Sequence, residues 1–320
     1  MAAMSPPGIR AVLAGAGVAM MGEAKVVTAV LQLTKKPPSD VNLLYLGTAT
    51  YDLASFRQKQ TGAFADRGVS ITTLDVACKT PAQAVVDDKI ERADIILVSG
   101  GNTLFAVDRW RKAAMVEPLR RAMARGATLC GGSAGAGCWF DALHSDSMDP
   151  DWYRTIMLAG GGAAAEKAPG EASAAGEKRE WDYIRVPGLG FLPGLLCPHH
   201  DRVQSNGVLR STDFAGMLLR HPGETGLAID HFAALVLYDG EYQVLSLPDK
   251  PGSLTSEGAN EPGKGVPAVW IKSVAADGIT IQETALPERG PLAALLHPAR
   301  DIVEDSRVEV VRAANPSHDL

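Results

Sequence analysis

Apolar and polar residues over the first 140 positions fall into two alternating kinds of block. Short apolar-rich runs occupy residues 9–14, 41–46, 69–74, 94–98 and 127–130. Between them, apolar residues recur every three or four positions. Val26, Val27, Val30 and Leu31 do so in the first interval, followed by 53–67, 82–92 and 104–125, the last interrupted near Pro118. The spacing predicts buried strands for the runs and amphipathic helices for the intervals. Apolar strands alternating with helices imply a parallel sheet covered on both faces. The predicted fold class is therefore α/β: a doubly wound, mostly parallel sheet flanked by helices.

After about Asp141 the pattern changes. Residues 160–179 are low-complexity Gly, Ala, Glu and Lys, the composition of a flexible surface insertion. Apolar order resumes at 183–186 and 189–197, a helical period covers 211–219, and strands are predicted at 227–229, 234–238 and 242–247. Residues 248–266 are rich in Pro, Gly and Glu and read as a linker or long loop. Beyond it, 268–274 and 279–283 flank Asp277-Gly278, a hairpin signal. The chain thus divides into a main domain over 1–247 and a linker with a small β-rich extension over 248–320. There is no internal repeat.

Composition narrows the function classes. The 320 residues carry 31 Lys+Arg against 37 Asp+Glu, a net charge of -6, with 46% hydrophobic and 21% charged residues. That suffices for a large core and argues against disorder. Length alone suggests about two domains, or one large domain with additions. No clustered positive charge favours nucleic acid or an acidic membrane surface. Cys78, Cys130, Cys138 and Cys197 form no CxxC pair, so neither a disulfide scaffold nor a structural zinc site is expected. The first residues lack a signal-peptide pattern and no apolar run reaches membrane-span length. A soluble, cytoplasmic protein is the expectation.

Candidate chemistry concentrates at two glycine-rich turns. Gly131-Gly132-Ser133-Ala134-Gly135-Ala136-Gly137 follows a predicted strand and precedes an apolar, helical stretch. A G-x-S-x-G turn in that context lifts a serine onto a sharp elbow, and small neighbours leave room for a substrate. The Ala134 amide then points where an oxyanion would form. Ser99-Gly100-Gly101-Asn102-Thr103 ends the preceding strand, at the sheet edge where open α/β folds bind ligands. Its backbone can supply a second oxyanion donor, with Asn102 or Thr103 capping the next helix. A serine nucleophile needs a base. Of seven histidines, His199 and His200 follow an apolar strand that would deliver them to the sheet edge. His144, His221, His231, His297 and His318 lie in polar sequence and read as solvated. Asp230, closing a predicted strand, is the favoured acid.

Taken together, GGNT at Gly100–Thr103, GGSAGAG at Gly131–Gly137 and LGFLPGLLCPHHD at Leu189–Asp201 resemble the peptidase E (aspartyl dipeptidase) family. That family is related to cyanophycinase and shares the class I glutamine-amidotransferase-like fold. The resemblance runs from about residue 8 to residue 247. It implies a cofactor-free serine hydrolase acting on dipeptides or short peptides, the typical member splitting those with an N-terminal aspartate. By the same resemblance Ser133 is the nucleophile, His199 the base and Asp230 the acid, where the family usually has Glu. It also implies that the Gly101 and Ala134 amides form the oxyanion hole. Gly100, Asn102 and Asp146 would border the substrate, with Arg210 or Arg202 reading an acidic side chain. The residues after 248 lie outside the resemblance and would shield the site or make an oligomer contact, a homodimer being the simplest.

Other readings fit less well. Gly15-Ala16-Gly17 starts like a dinucleotide-binding turn, but the third glycine is misplaced, with Met20 and then Gly22 following. A glutamine amidotransferase would carry cysteine where Ser133 stands. A non-catalytic binding module on the same fold would have little use for Ser133, His199 and Asp230 together.

Overall fold

In a computed structural model, residues 8–149, 180–250, 253–254, 260–261 and 265–314 are described. The expected insertion at 160–179 lies outside them, as does most of the expected linker.

The apolar runs of the first half form β1 (Arg10–Ala14), β2 (Asn42–Leu46), β3 (Ser70–Thr73), β4 (Ile95–Val98) and β5 (Thr128–Gly132). They pair in parallel in the order β1-β5-β4-β2-β3. Side chains alternate between faces with the two-residue period of a strand. Ala11, Leu13, Leu44 and Leu46 enter one core, while Val12, Ala14, Leu43 and Tyr45 enter another on the opposite face. Helices α1 (Val18–Met21), α2 (Ala24–Thr34), α3 (Ala54–Ala65), α4 (Gln83–Glu91), α5 (Thr103–Lys112) and α6 (Val116–Arg125) make the connections. The expected break in the 104–125 segment falls at Ala113–Met115, where Ala114 adopts φ 50. Pro118 sits instead in the first turn of α6, where its missing N–H costs little.

The chain then leaves this sheet. Short α7 (Ala134–Gly137) leads to β6 (Phe140–Ser145), which opens a second sheet with β7 (Ile184–Pro187), β8 (Leu192–Cys197) and β9 (Gly226–Ile229). Helix α8 (Arg210–Arg220) joins β8 to β9 and buries Phe214, Met217 and Leu218 against that sheet. From β9 the chain crosses back: β10 (Ala233–Tyr238) pairs antiparallel with β1, and β11 (Glu241–Ser246) with β10. The α/β architecture agrees with the pattern of residues, but two sheets take the place of one. Phe140, Leu192 and Leu196 of the second share a core with Leu13, Leu46 and Val98 of the first.

The strands past residue 248 are hydrogen-bonded into this framework. After the two-residue strands β12 (Ser253–Leu254) and β13 (Asn260–Glu261), β14 (Val269–Val274) pairs with β9. Strand β15 (Ile281–Ala285) completes a hairpin with β14, its turn tied by Asp277 Oδ1, which accepts from the amides of Ile279 and Thr280. Strand β16 (Arg289–Pro291) extends the first sheet beside β11. Helix α9 (Arg307–Ala314) packs Val308 and Val311 against Ile184 and Val186 of β7. Among the described residues no helix is long and apolar enough to cross a membrane.

Candidate active site

At the end of β5 the backbone turns so sharply that Ser133 adopts φ 56, ψ −120 before α7 begins at Ala134. A non-glycine residue there stores on the order of 1–3 kcal/mol of strain, which the surrounding structure must impose. Gly132 shows how: a Cβ on it would lie 1.8 Å from the Ala16 carbonyl oxygen, so β5 can close against the turn after β1 only without a side chain. The Ser133 amide donates to the Ala14 carbonyl at 3.1 Å and fixes the elbow from below. From above comes the turn after β4. A Cβ on Gly100 would lie 3.4 Å from Cβ of Ser133, which places that loop directly against the serine, with Gly101 next to it at φ 128. Ala134, as the first residue of α7, has an amide with no intrahelical acceptor. Ser133 itself is half-buried.

The histidines arrive from the second sheet. His199, just past β8 and at φ 49, donates its amide to the Gly15 carbonyl at 3.1 Å. Consecutive carbonyls, Ala14 and Gly15, thus anchor the backbones of the serine and this histidine. The partner of His199 differs from the one expected. Its Nδ1 lies 2.8 Å from Nδ1 of His231, in the turn between β9 and β10. Asp230 serves the neighbouring histidine instead, with Oδ1 3.0 Å from Nδ1 of His200. The Asp230 carboxylate also accepts from the Ala268 amide at 2.9 Å and from Trp270 Nε1 at 3.2 Å. The physical reason is β14: pairing with β9 brings these two donors onto Asp230 and draws its carboxylate toward the second sheet. His200 is buried in the same place, its ring 5.9 Å from that of Trp270.

Burial sets the charge of the cluster. It holds the basicity of His199 well below the usual imidazole range, and His231, Arg210 and Arg202 add to the effect. His231 is pushed down to about 3, first by burial and then by Arg202. His200 is lowered too, burial outweighing the pull of Asp230. Asp201 accepts the His231 amide at 2.7 Å and is raised to about 7 by burial and by the neighbouring Asp230 carboxylate. At neutral pH these imidazoles are therefore uncharged, the state a general base needs.

The other expected site residues make contacts of their own. Asn102 caps α5, its Oδ1 accepting from Phe105 N at 3.1 Å while Nδ2 reaches the Tyr51 hydroxyl. Arg210 is buried, stacked 4.8 Å from the Tyr183 ring. It donates to the His144 carbonyl at 2.9 Å, to His144 Nδ1 at 3.2 Å and to Asp146 at 3.4 Å. Ser147, beside Asp146, accepts the Leu104 amide and so joins this segment to the start of α5. Arg202 rests 5.3 Å from the ring of Phe232. Three histidines expected to be solvated are not. His144 is fully buried on β6 with Nε2 2.8 Å from Asp213, and His221 is also buried. The third is His231, whose contact with His199 is absent from the sequence reading. The available signal was its position next to Asp230, at the same strand end. Among the described residues no group of three or more His, Cys, Asp or Glu could hold a metal ion. A groove of about 710 Å³ between α2 and the β10–β11 pair is lined by residues such as Thr28 and Tyr238 and shares none with this centre.

Comparison with known proteins identifies the family. Residues 11–245 match the model of Peptidase family S51. Peptidase E of Shigella flexneri serotype 5b is 34% identical over 117 residues, which cover 35% of this chain and 47% of that protein. A Trypanosoma brucei brucei protein named G2/mitotic-specific cyclin-1 is 34% identical over 293 residues, covering 87% of this chain and 83% of its own length. In structure, a peptidase from an acI-B1 Actinobacterium superposes with a TM-score of 0.54 at 15% identity, over 89% of this chain and 98% of that one. The last likeness is one of fold.

Proposed function

The chain belongs to peptidase family S51 and is a serine-type peptidase, and from that premise we propose that it hydrolyses dipeptides or short peptides with Ser133 as nucleophile and His199 as base. The observation that carries the reading is the strained Ser133 elbow, with Gly100 against its Cβ and His199 tied to the adjacent carbonyl. His199 Nε2 takes the hydroxyl proton as Ser133 Oγ attacks the scissile carbonyl. The Gly101 and Ala134 amides receive the oxyanion, a contribution typically worth about 100-fold or more in rate per donor. The proton passes to the leaving amine, and water, deprotonated by the same imidazole, releases the acyl group. Asp230 acts one step back: by holding His200 and the Ala268 and Trp270 donors it fixes the turn that carries His231. The positive potential that Arg210 and Arg202 place on His199 suits a substrate carrying a carboxylate, such as a peptide with N-terminal aspartate. The name of the trypanosome relative, a cyclin's, has no counterpart among these residues.

The test is amino-acid release from a dipeptide panel (Asp-X, Ala-X, Met-X, isoaspartyl-X, Arg-X) by the wild type and by Ser133→Ala. The expected result is turnover of at least one member that falls by about 1,000-fold or more in the variant. Preference for Asp-X would support the carboxylate reading, and preference for Ala-X or Met-X would overturn it. Equal turnover by both proteins would remove Ser133 from the mechanism.

A further inference from the structure

We propose that His231 is the positioning residue of the base, so that the relay behind the nucleophile is Ser133–His199–His231, an imidazole standing where a carboxylate is expected. The proposal rests on the serine-peptidase reading, with His199 as base. Two Nδ1 atoms 2.8 Å apart must share one proton between them. Two bare lone pairs would repel, and two N–H groups would collide. A base that accepts at Nε2 carries its own proton on Nδ1, so His199 donates and His231 Nδ1 accepts. His231 then keeps its proton on Nε2, and both rings are neutral.

The surroundings fix His231 for that task. Its amide is anchored by Asp201 Oδ1 at 2.7 Å. Its ring meets Phe232 edge-on at 4.6 Å, and Phe232 lies under Arg202 at 5.3 Å. The charged groups around the pair are Arg202 and Arg210 facing His199, and Arg202 facing His231. Asp201 and Asp230 flank the turn, while His200, influenced by Lys272 and Glu283, lies behind Asp230. Both oxygens of Asp230 already accept from His200, Ala268 or Trp270. When Ser133 Oγ–H gives its proton to His199 Nε2, the resulting imidazolium keeps its Nδ1 proton and hydrogen-bonds it to a neutral nitrogen. A carboxylate in that place would add the attraction of an opposite charge, which favours the imidazolium and which a neutral imidazole lacks. A base supported by imidazole therefore stays deprotonated to lower pH than one supported by a carboxylate.

Three variants, His231→Ala, His231→Gln and His231→Glu, separate positioning from packing. With a turned-over dipeptide, His231→Ala should lower kcat by about 100-fold or more with KM little changed. His231→Gln, which offers an amide oxygen to His199 Nδ1, should recover part of that loss. His231→Glu should move the acid limb of the kcat/KM profile upward by about one pH unit or more. Nitrogen-15 histidine NMR of the wild type should show His199 protonated at Nδ1 with a downfield bridging proton, lost in His231→Ala. Wild-type kinetics and an unshifted acid limb in His231→Ala would overturn the proposal. So would a folded wild type whose His199 proton sits on Nε2. Turnover unaffected by Ser133→Ala would instead defeat the peptidase mechanism, and the NMR measurement, which needs no turnover, would still read the histidine pair.

Discussion

Gly15 is the residue on which the candidate centre converges. A Cβ there would fall 1.9 Å from the backbone oxygen of Asp230 and 2.7 Å from its carbonyl carbon, and neither can swing aside as a side chain would. Gly15→Ala must therefore push the turn after β1 away from the β9–β10 turn and strain the His199 amide bond to Gly15. The expected cost is about 1–3 kcal/mol of stability, read by urea unfolding. The loss of kcat/KM should exceed tenfold at temperatures where the variant stays folded. Full activity would mean that the two turns are free to separate. The sequence shows Gly15-Ala16-Gly17 only as a tight turn, because the carbonyl it abuts is more than 200 residues away along the chain. The contact of His231 with His199, 32 residues apart, is hidden as well. As candidates, Ser133 and His199 stand out in the sequence because each lies in a motif with a characteristic local backbone. The partner of His199 depends on how two turns meet in space, and no local pattern encodes that. His144 misleads for a related reason: its polar neighbourhood reads as surface, whereas Asp213 and Arg210 satisfy it in the interior.

Whole elements depend on similar hidden pairs. Arg185 of β7 and Glu224, just before β9, form a buried bidentate ion pair, Nε and Nη2 lying 2.5 and 2.7 Å from the two carboxylate oxygens. Their side chains are 1% and 0% exposed. Removing the acid alone strands a buried guanidinium. Glu224→Ala should lower unfolding stability by roughly 3–5 kcal/mol, measured by denaturant titration. Replacing both partners with apolar residues, Arg185→Met with Glu224→Leu, should restore most of the loss. If Glu224→Ala costs under about 1 kcal/mol, water must reach the pair. Such burial also explains which strands the residue pattern captures. The strands β1, β2, β4 and β5 are apolar on both sides and stand out. Strand β6 escapes, because Asp141, His144 and Ser145 interrupt its apolar face, and their partners come from β8, α8 and the segment following it. The break between α5 and α6 is legible as a break but not in place, since Pro118 draws attention and the turning residue is Ala114.

At the scale of the molecule, the candidate centre lies on the seam between two sheets. Ser133 comes from the end of a first-sheet strand, His199 from the end of a second-sheet strand, and His231 from the connection that crosses back. A periodicity argument counts strands but does not say which sheet each joins, so the seam is invisible until the structure is seen. The seam is also where imidazoles of lowered basicity and a carboxyl of raised pKa, Asp201, lie together, and that couples folding to pH. His144, His199, His200, His221 and His231 all have lowered basicity in the fold, to about 4 for His144 and about 3 for His231. Between about pH 6.5 and 4 the unfolded chain takes up protons that these residues refuse, so stability falls as pH falls. Asp201, raised to about 7, and Asp52, raised to about 6, act oppositely, because the folded protein binds their protons first; Asp141 is shifted the same way. The five histidines outnumber the three acids, and net loss of stability on acidification is the expected sign. Asp201→Asn isolates one opposing contribution, since the amide oxygen can still accept the His231 amide but no longer titrates. The variant should lose stability more steeply than the wild type between pH 7 and 4.5, by up to about 1.4 kcal/mol per pH unit. Parallel curves from urea unfolding across that range would show that Asp201 is ionised in the folded protein, and that the seam admits enough water to keep it so.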